Sequence, residues 1–208
     1  CPMANPETSR VKHRQPESSM RSNFFLGLGA LSLIIILNTC PAYASSKEAE
    51  NFVRIMGERV FSSLGEKGIS DEERTKRFKE LLPQALDLPR IARFTLGRYW
   101  RIATDEEKKE YITLFRKFVI QAYASRFKGL GGKTFKLLHS RDVSATQTLV
   151  FSEIIIPKQP SVRVNWRVRF KDEKHRITDI MVEGISMSVT QRDEFVSVIR
   201  QTGGKVDG

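Results

Sequence analysis

Cysteine is almost missing: of 208 residues only Cys1 and Cys40 carry a thiol, and both precede residue 45. The chain beyond them offers no disulfide, no thiolate metal ligand and no cysteine nucleophile. Histidine is nearly as scarce, with His139 and His175 alone after residue 45, which argues against a transition-metal site and leaves little for Ser–His hydrolysis. A membrane-spanning run is lacking too. The longest uncharged apolar stretch extends only from Phe24 to Leu37, short of the roughly 20 residues that cross a bilayer. Internal repeats and low-complexity tracts are also absent.

What is present begins with "MRSNFFLGLGALSLIIILNTCPAYASS", where Arg21 follows Met20, an apolar middle comes next, and Ala42-Tyr43-Ala44 supplies a small-x-small end. That is the form of a secretory signal peptide over residues 20–44, cleaved after Ala44, and residues 1–19 read as an upstream extension with translation starting at Met20. Asn38 and Thr39 before Cys40 are too bulky and polar for a lipoprotein site. Residues 45–208 then form a single domain, long enough for a real core. The whole chain has 35 Lys+Arg against 24 Asp+Glu; residues 1–44 hold four and two of these, so the remainder keeps a charge of +9. An exported basic protein suits anionic lipid headgroups or acidic partners better than cytosolic nucleic acid.

Three capping boxes punctuate the first half, Ser45-x-x-Glu48, Ser70-x-x-Glu73 and Thr104-x-x-Glu107. Helices are predicted over about 47–64, with Phe52, Ile55, Met56, Val60 and Leu64 in a stripe, and over 71–82, ending near Pro83. A short one follows Asp87-Leu88-Pro89, and a long one covers 105–127 with Tyr111, Phe115, Phe118 and Ala122 on one side and Leu114 and Phe127 near it. From Thr134 the period becomes two. Strands are predicted at about 134–143, 146–157, 161–171 and 175–183, with a short continuation at 185–189. "PKQP" (157–160) and "KDEK" (171–174) are turns, so the strands should form an antiparallel meander. A last helix starts at Thr190, with Phe195, Val198 and Ile199 inward. Helices, then strands, then one helix make an α+β domain.

Motifs that would carry chemistry mostly fail. "GLGGKT" (129–134) lacks the first glycine of a phosphate-binding loop, having Phe127 there, and follows a helix instead of a strand. "EGISMS" (183–188) has no helix predicted directly after it and no base with a recognisable partner. Asp179, in "ITDIMVEG", is the one acidic residue in an apolar setting, and structural hydrogen bonding is its expected role. In "SVRVNWRVRF" Arg163, Arg167 and Arg169 alternate with Val164, Trp166, Val168 and Phe170. Stacking aromatics and phosphate-binding cations thus lie on opposite faces, unlike a nucleic-acid-binding sheet.

Two longer segments carry a resemblance. "FTLGRYWRIATDEEKKEYITLFRKFVIQAY" (94–123) and "NWRVRFKDEKHRITDIMVEGISMSVTQRDEF" (165–195) resemble the two signatures of the MlaC, or toluene-tolerance, family of periplasmic phospholipid-binding proteins. In the second, Asp179, Val182, Glu183, Gly184, Ser186, Arg192, Glu194 and Phe195 match. The resemblance runs through residues 45–208, although the chain stops at "GGKVDG" where relatives often continue into a further short helix. It implies N-terminal helices and a C-terminal helix on a curved meander sheet, an NTF2-like cone enclosing an apolar pocket. It also implies a non-enzymatic lipid carrier in the periplasm, without cofactor or metal, with phospholipid as cargo. Its implied partners are an outer-membrane lipoprotein–porin complex and the MCE-domain protein of an inner-membrane ABC transporter, in the maintenance of lipid asymmetry. A hopanoid-associated carrier, or a periplasmic enzyme using Asp179 on a similar fold, are the alternatives. Candidate pocket residues are Phe94, Leu96, Tyr99, Trp100, Phe115, Phe118 and Tyr123 on the helices, and Val164, Trp166, Val168, Ile180, Met181 and Met187 on the sheet side. Candidate docking residues are Arg98, Arg101, Arg163, Arg167 and Arg169.

Overall fold

A computed structural model describes residues 46–206; the expected signal peptide, its cleavage site, the upstream extension and the Ser45 cap lie outside the described residues. Five α-helices appear: α1 (Ser46–Leu64), α2 (Asp71–Ala85), α3 (Leu88–Leu96), α4 (Asp105–Tyr123) and α5 (Met187–Gln201). Five strands fill the gap before α5: β1 (Thr134–Ser144), β2 (Gln147–Ile155), β3 (Val162–Lys171), β4 (Lys174–Val182) and β5 (Ile185–Ser186). They pair antiparallel in sequence order, β1-β2-β3-β4-β5. Irregularities at Leu137/His139, Asp142/Ser144 and Arg167/Val168 bend the sheet, as bulges do.

Local chemistry sets the boundaries. Ser70 Oγ accepts from the Glu73 amide at 3.1 Å, and Asp87 Oδ1 from the Arg90 amide at 3.2 Å, with Pro89 in the first turn of α3. The Thr104–Glu107 box closes in both directions, at 3.2 and 2.6 Å. The hairpin turns place Asp172 and Glu173, then Glu183 and Gly184, at positive φ, the two-residue geometry that matches strand twist.

Four expectations need correction. Helix α2 runs through Pro83 to Ala85, because the proline is exposed and its lost donor costs only one bond near the end. The long helix is α4 only to Tyr123; a 3-10 segment, Ala124–Gly129, completes it. The last strand shrinks to Ile185–Ser186, since Ser186 accepts from the Val189 amide at 3.1 Å and starts α5 there instead of at Thr190. Finally, Ile55, Leu114 and Val198 turn outward, 38%, 51% and 55% exposed, while Phe195 and Ile199 pack inward.

The helices lie over the inner face of the sheet. The Asp87 amide donates to the Ile177 carbonyl at 2.9 Å, pinning the α2–α3 corner to β4. Against β1 the backbone of α1 comes so close that a Cβ on Gly57 would sit 2.6 Å from the Phe135 ring. At the other end Leu96, Tyr99 and Ala103 form a separate small core with Trp100, Val196 and Ile199. Gly97, at φ 59, allows that approach: a Cβ there would lie 3.2 Å from Val196 Cγ2.

Candidate functional site

Between the helices and the sheet lies a cavity of about 360 Å³. Met56, Val60 and Phe61 of α1 and Leu81, Leu82 and Ala85 of α2 line it, as do Ile91 of α3 and Phe115, Val119 and Tyr123 of α4. The sheet contributes Phe135, Ile154, Val164, Trp166, Ile177, Ile180 and Val182, and Met187 of α5 closes one side. Helical and strand periodicity both deliver apolar faces, and here the two faces do not fully meet.

Polar side chains in the wall are few, and most are paired with protein. Thr95 Oγ1 donates to the Ala92 carbonyl and also bonds Tyr111 Oη, both at 2.9 Å; burial pushes the Tyr111 phenol up to about 12, so it stays neutral. Trp166 Nε1 donates at 2.8 Å to Ser152 Oγ, which itself donates to the Val164 carbonyl at 2.6 Å. Asp179 accepts from Ser186 Oγ at 2.7 Å and from the Ser188 amide at 3.1 Å. Gln191 Nε2 donates to Glu194 Oε2 at 2.8 Å. With these atoms satisfied, the surface presented to the cavity is hydrocarbon.

The wall brings together six of the thirteen sequence-derived pocket candidates: Phe115, Tyr123, Val164, Trp166, Ile180 and Met187. The others lie elsewhere. Leu96, Tyr99 and Trp100 belong to the small core beside α5. Phe118 turns toward Phe195, ring centres 5.2 Å apart, and Phe94 is exposed beneath Arg192, 5.0 Å from its ring centre. Val168 packs with Val150 and Ile177 of the sheet and with Ala49 and Val53 of α1. Met181 pairs with Asn165 on the outer face, because consecutive β4 residues cannot both face inward and Ile180 does. The residues missed include every wall residue of α1 and α2, together with Ile91, Val119, Phe135, Ile154, Ile177 and Val182; for α1 and α2 the sequence held little to go on. Their one legible signal was Gly57, a glycine inside an amphipathic helix, where close approach of another element is the usual reason.

The candidate docking arginines are dispersed. Arg98 stacks on Tyr99 and donates to its hydroxyl at 3.0 Å; Arg101 is exposed. Arg163 pairs with Glu183 at 3.3 Å, and Arg167 and Arg169 are half-buried on β3.

Chemically the site is poor in reactive pairs. His139 stacks on Phe151 away from the cavity, and His175 sits between Phe52 and Phe170, its pKa held down by burial. Neither belongs to the cavity wall. Among the described residues no group of three His, Cys, Asp or Glu could hold a metal, and no helix is long and apolar enough to cross a membrane.

Comparison with known proteins agrees with this architecture. A phospholipid-binding protein from Ralstonia solanacearum, solved in complex with a phospholipid, shares the fold with a TM-score of 0.67 at 22% identity, over 74% of this chain and 89% of that one. The family model described as MlaC protein matches residues 56–208. The same stretch supplies nearly all of the cavity wall, and by that match the chain belongs to the MlaC family.

Proposed function

We propose that the protein is a carrier that holds the acyl chains of a phospholipid in this cavity. The observation that carries the reading is the wall itself: a buried hydrocarbon surface whose polar atoms are almost all bonded to protein, with no nucleophile–base pair facing it. Each methylene withheld from water contributes about 0.8 kcal/mol, so a two-chain lipid leaves a membrane only for a site of comparable cover. The solved relative bound to a phospholipid supports the same cargo class.

The carrier works in the periplasm, exported by the signal sequence over residues 20–44. There it exchanges lipid between an outer-membrane lipoprotein–porin complex and the MCE-domain protein of an inner-membrane ABC transporter. The exposed Arg98, Arg101 and Arg163, with the basic balance of the chain, steer such encounters, and steering of this kind weakens with salt. Asp179, the residue an enzymatic reading would use, has its carboxylate engaged at the start of α5.

The test is to express the full chain in a Gram-negative host, recover it from the periplasm without detergent, and extract it for lipid mass spectrometry. Diacyl phospholipid near one per protein is expected. A polycyclic lipid in its place would overturn the diacyl assignment, and a lipid-free protein would overturn the carrier reading.

A further inference from the structure

Of all the residues lining the cavity, Arg126 alone is exposed and alone is cationic. It lies on the 3-10 segment after α4, and its guanidinium carbon sits 5.1 Å from the ring centre of Tyr123, itself part of the wall. Nε donates to the Ala122 carbonyl at 3.2 Å, which fixes the fork. The terminal nitrogens have no carboxylate among the described residues.

Three lysines, Lys67, Lys128 and Lys133, lie in the turn after Arg126 or against it. The turn after Arg126 packs against the loop after α1, so that a Cβ on Gly131 would lie 3.8 Å from Lys67 Cγ, and one on Gly129 would lie 3.7 Å from Lys133 Nζ. Lys128 is neutralised by Asp71 at 3.1 Å, whereas Lys67 and Lys133 make no ion pair among the described residues. Arg126 is in the wall itself, and the two glycines flanking the wall residue Leu130 bring up Lys133 on one side and Lys67 on the other.

We infer that this rim is a headgroup subsite: Arg126 takes the phosphodiester of the bound lipid, and Lys67 and Lys133 favour headgroups of net negative charge over zwitterionic ones. The assignment rests on the carrier reading above. A planar guanidinium matches two phosphate oxygens at once, and Tyr123 below it keeps the fork facing outward. One phosphate cannot neutralise three cations. A headgroup that adds an ammonium is therefore repelled where one that adds only hydroxyls is not.

The experiment again uses the full chain from a Gram-negative periplasm, comparing wild type with Arg126→Glu, Arg126→Lys and Lys67→Glu, and reads the phosphatidylglycerol to phosphatidylethanolamine ratio of the extracted lipid against that of the host membrane. Wild type should be enriched in phosphatidylglycerol about two- to five-fold, the range of exposed charge interactions. Arg126→Glu should abolish that enrichment in the lipid that stays bound and lower the total, Arg126→Lys should keep most of both, and Lys67→Glu should lower the enrichment partly. An unchanged ratio in Arg126→Glu, with lipid still bound, would overturn the subsite and leave the carrier intact; loss of lipid from wild type would overturn both. Binding of inorganic phosphate alone to the lipid-depleted chain, abolished by Arg126→Glu, would make the rim a free-anion site and overturn the headgroup assignment.

Discussion

Two apolar assemblies sit side by side in this domain, one filled and one hollow. Around Leu96, Tyr99 and Ala103 the side chains of α3, α5 and the 3-10 segment Gly97–Arg101 pack against one another, with Leu96 fully buried. A few residues away, Ile91 and Thr95 of the same helix α3 face a cavity of about 360 Å³. The two regions draw on the same residue types, so hydrophobicity does not separate them. What separates them is distance. Gly97 lets α5 settle against α3, whereas α2 is tied to the sheet at the Asp87–Ile177 corner and the cavity opens between its Leu81, Leu82 and Ala85 and the strands. A core is built by elements allowed to touch, and a binding site by elements held short of touching.

Substitutions should treat the two regions oppositely. In the filled region Leu96→Ala should cost about 2–5 kcal/mol, the range for truncating a buried leucine, read as a lower denaturant midpoint, while the lipid bound per folded protein stays constant. A midpoint near wild type would mean that this region is also loosely packed. At the boundary, Asp179→Asn removes one acceptor from the start of α5 and should cost about 1–3 kcal/mol, with lipid retained. In the hollow region Val60→Trp should change stability by no more than about 1 kcal/mol, because the indole enters existing space, yet lower the extracted lipid by about half or more. Equal destabilisation by Val60→Trp and by overpacking of the filled core would erase the distinction.

The smallest effect concerns pH, outside both regions. Burial holds His175 below its usual 6.5, and Glu48 opposes this only partly. The unfolded chain therefore takes up a proton near pH 6.5 that the folded one resists. The contribution of His175 to stability is full above about 6.5 and is lost as pH falls from there through the folded value. His175→Phe should flatten that part of the stability curve, followed by thermal unfolding between pH 5 and 7.5.

Much of the fold was readable from residues alone. The Thr104–Glu107 box, the Asp87-Leu88-Pro89 start and the period-two stretch in β3 all correspond to observed elements. So does the meander, because short turns leave antiparallel neighbours no other partner. The cavity was readable only in part. Tyr99 and Trp100 are prominent in the first signature, but they secure the α3–α5 junction. In the second signature Asp179, Ser186 and Glu183 build the β4–α5 corner, the last by accepting from the Arg163 amide. The signature residues mark corners where geometry is demanding; wall residues such as Leu81, Ala85 and Val119 look like any helix face.

The sequence by itself determined the order and type of the elements and the apolar inner face of the sheet, since these follow from local periodicity and capping. Only the tertiary structure decided which apolar residues touch one another and which face open space. That choice depends on inter-element distances of a few ångström, set where Gly57 meets Phe135, where Gly97 meets Val196 and at the β3–β4 bulge, between segments far apart in the chain.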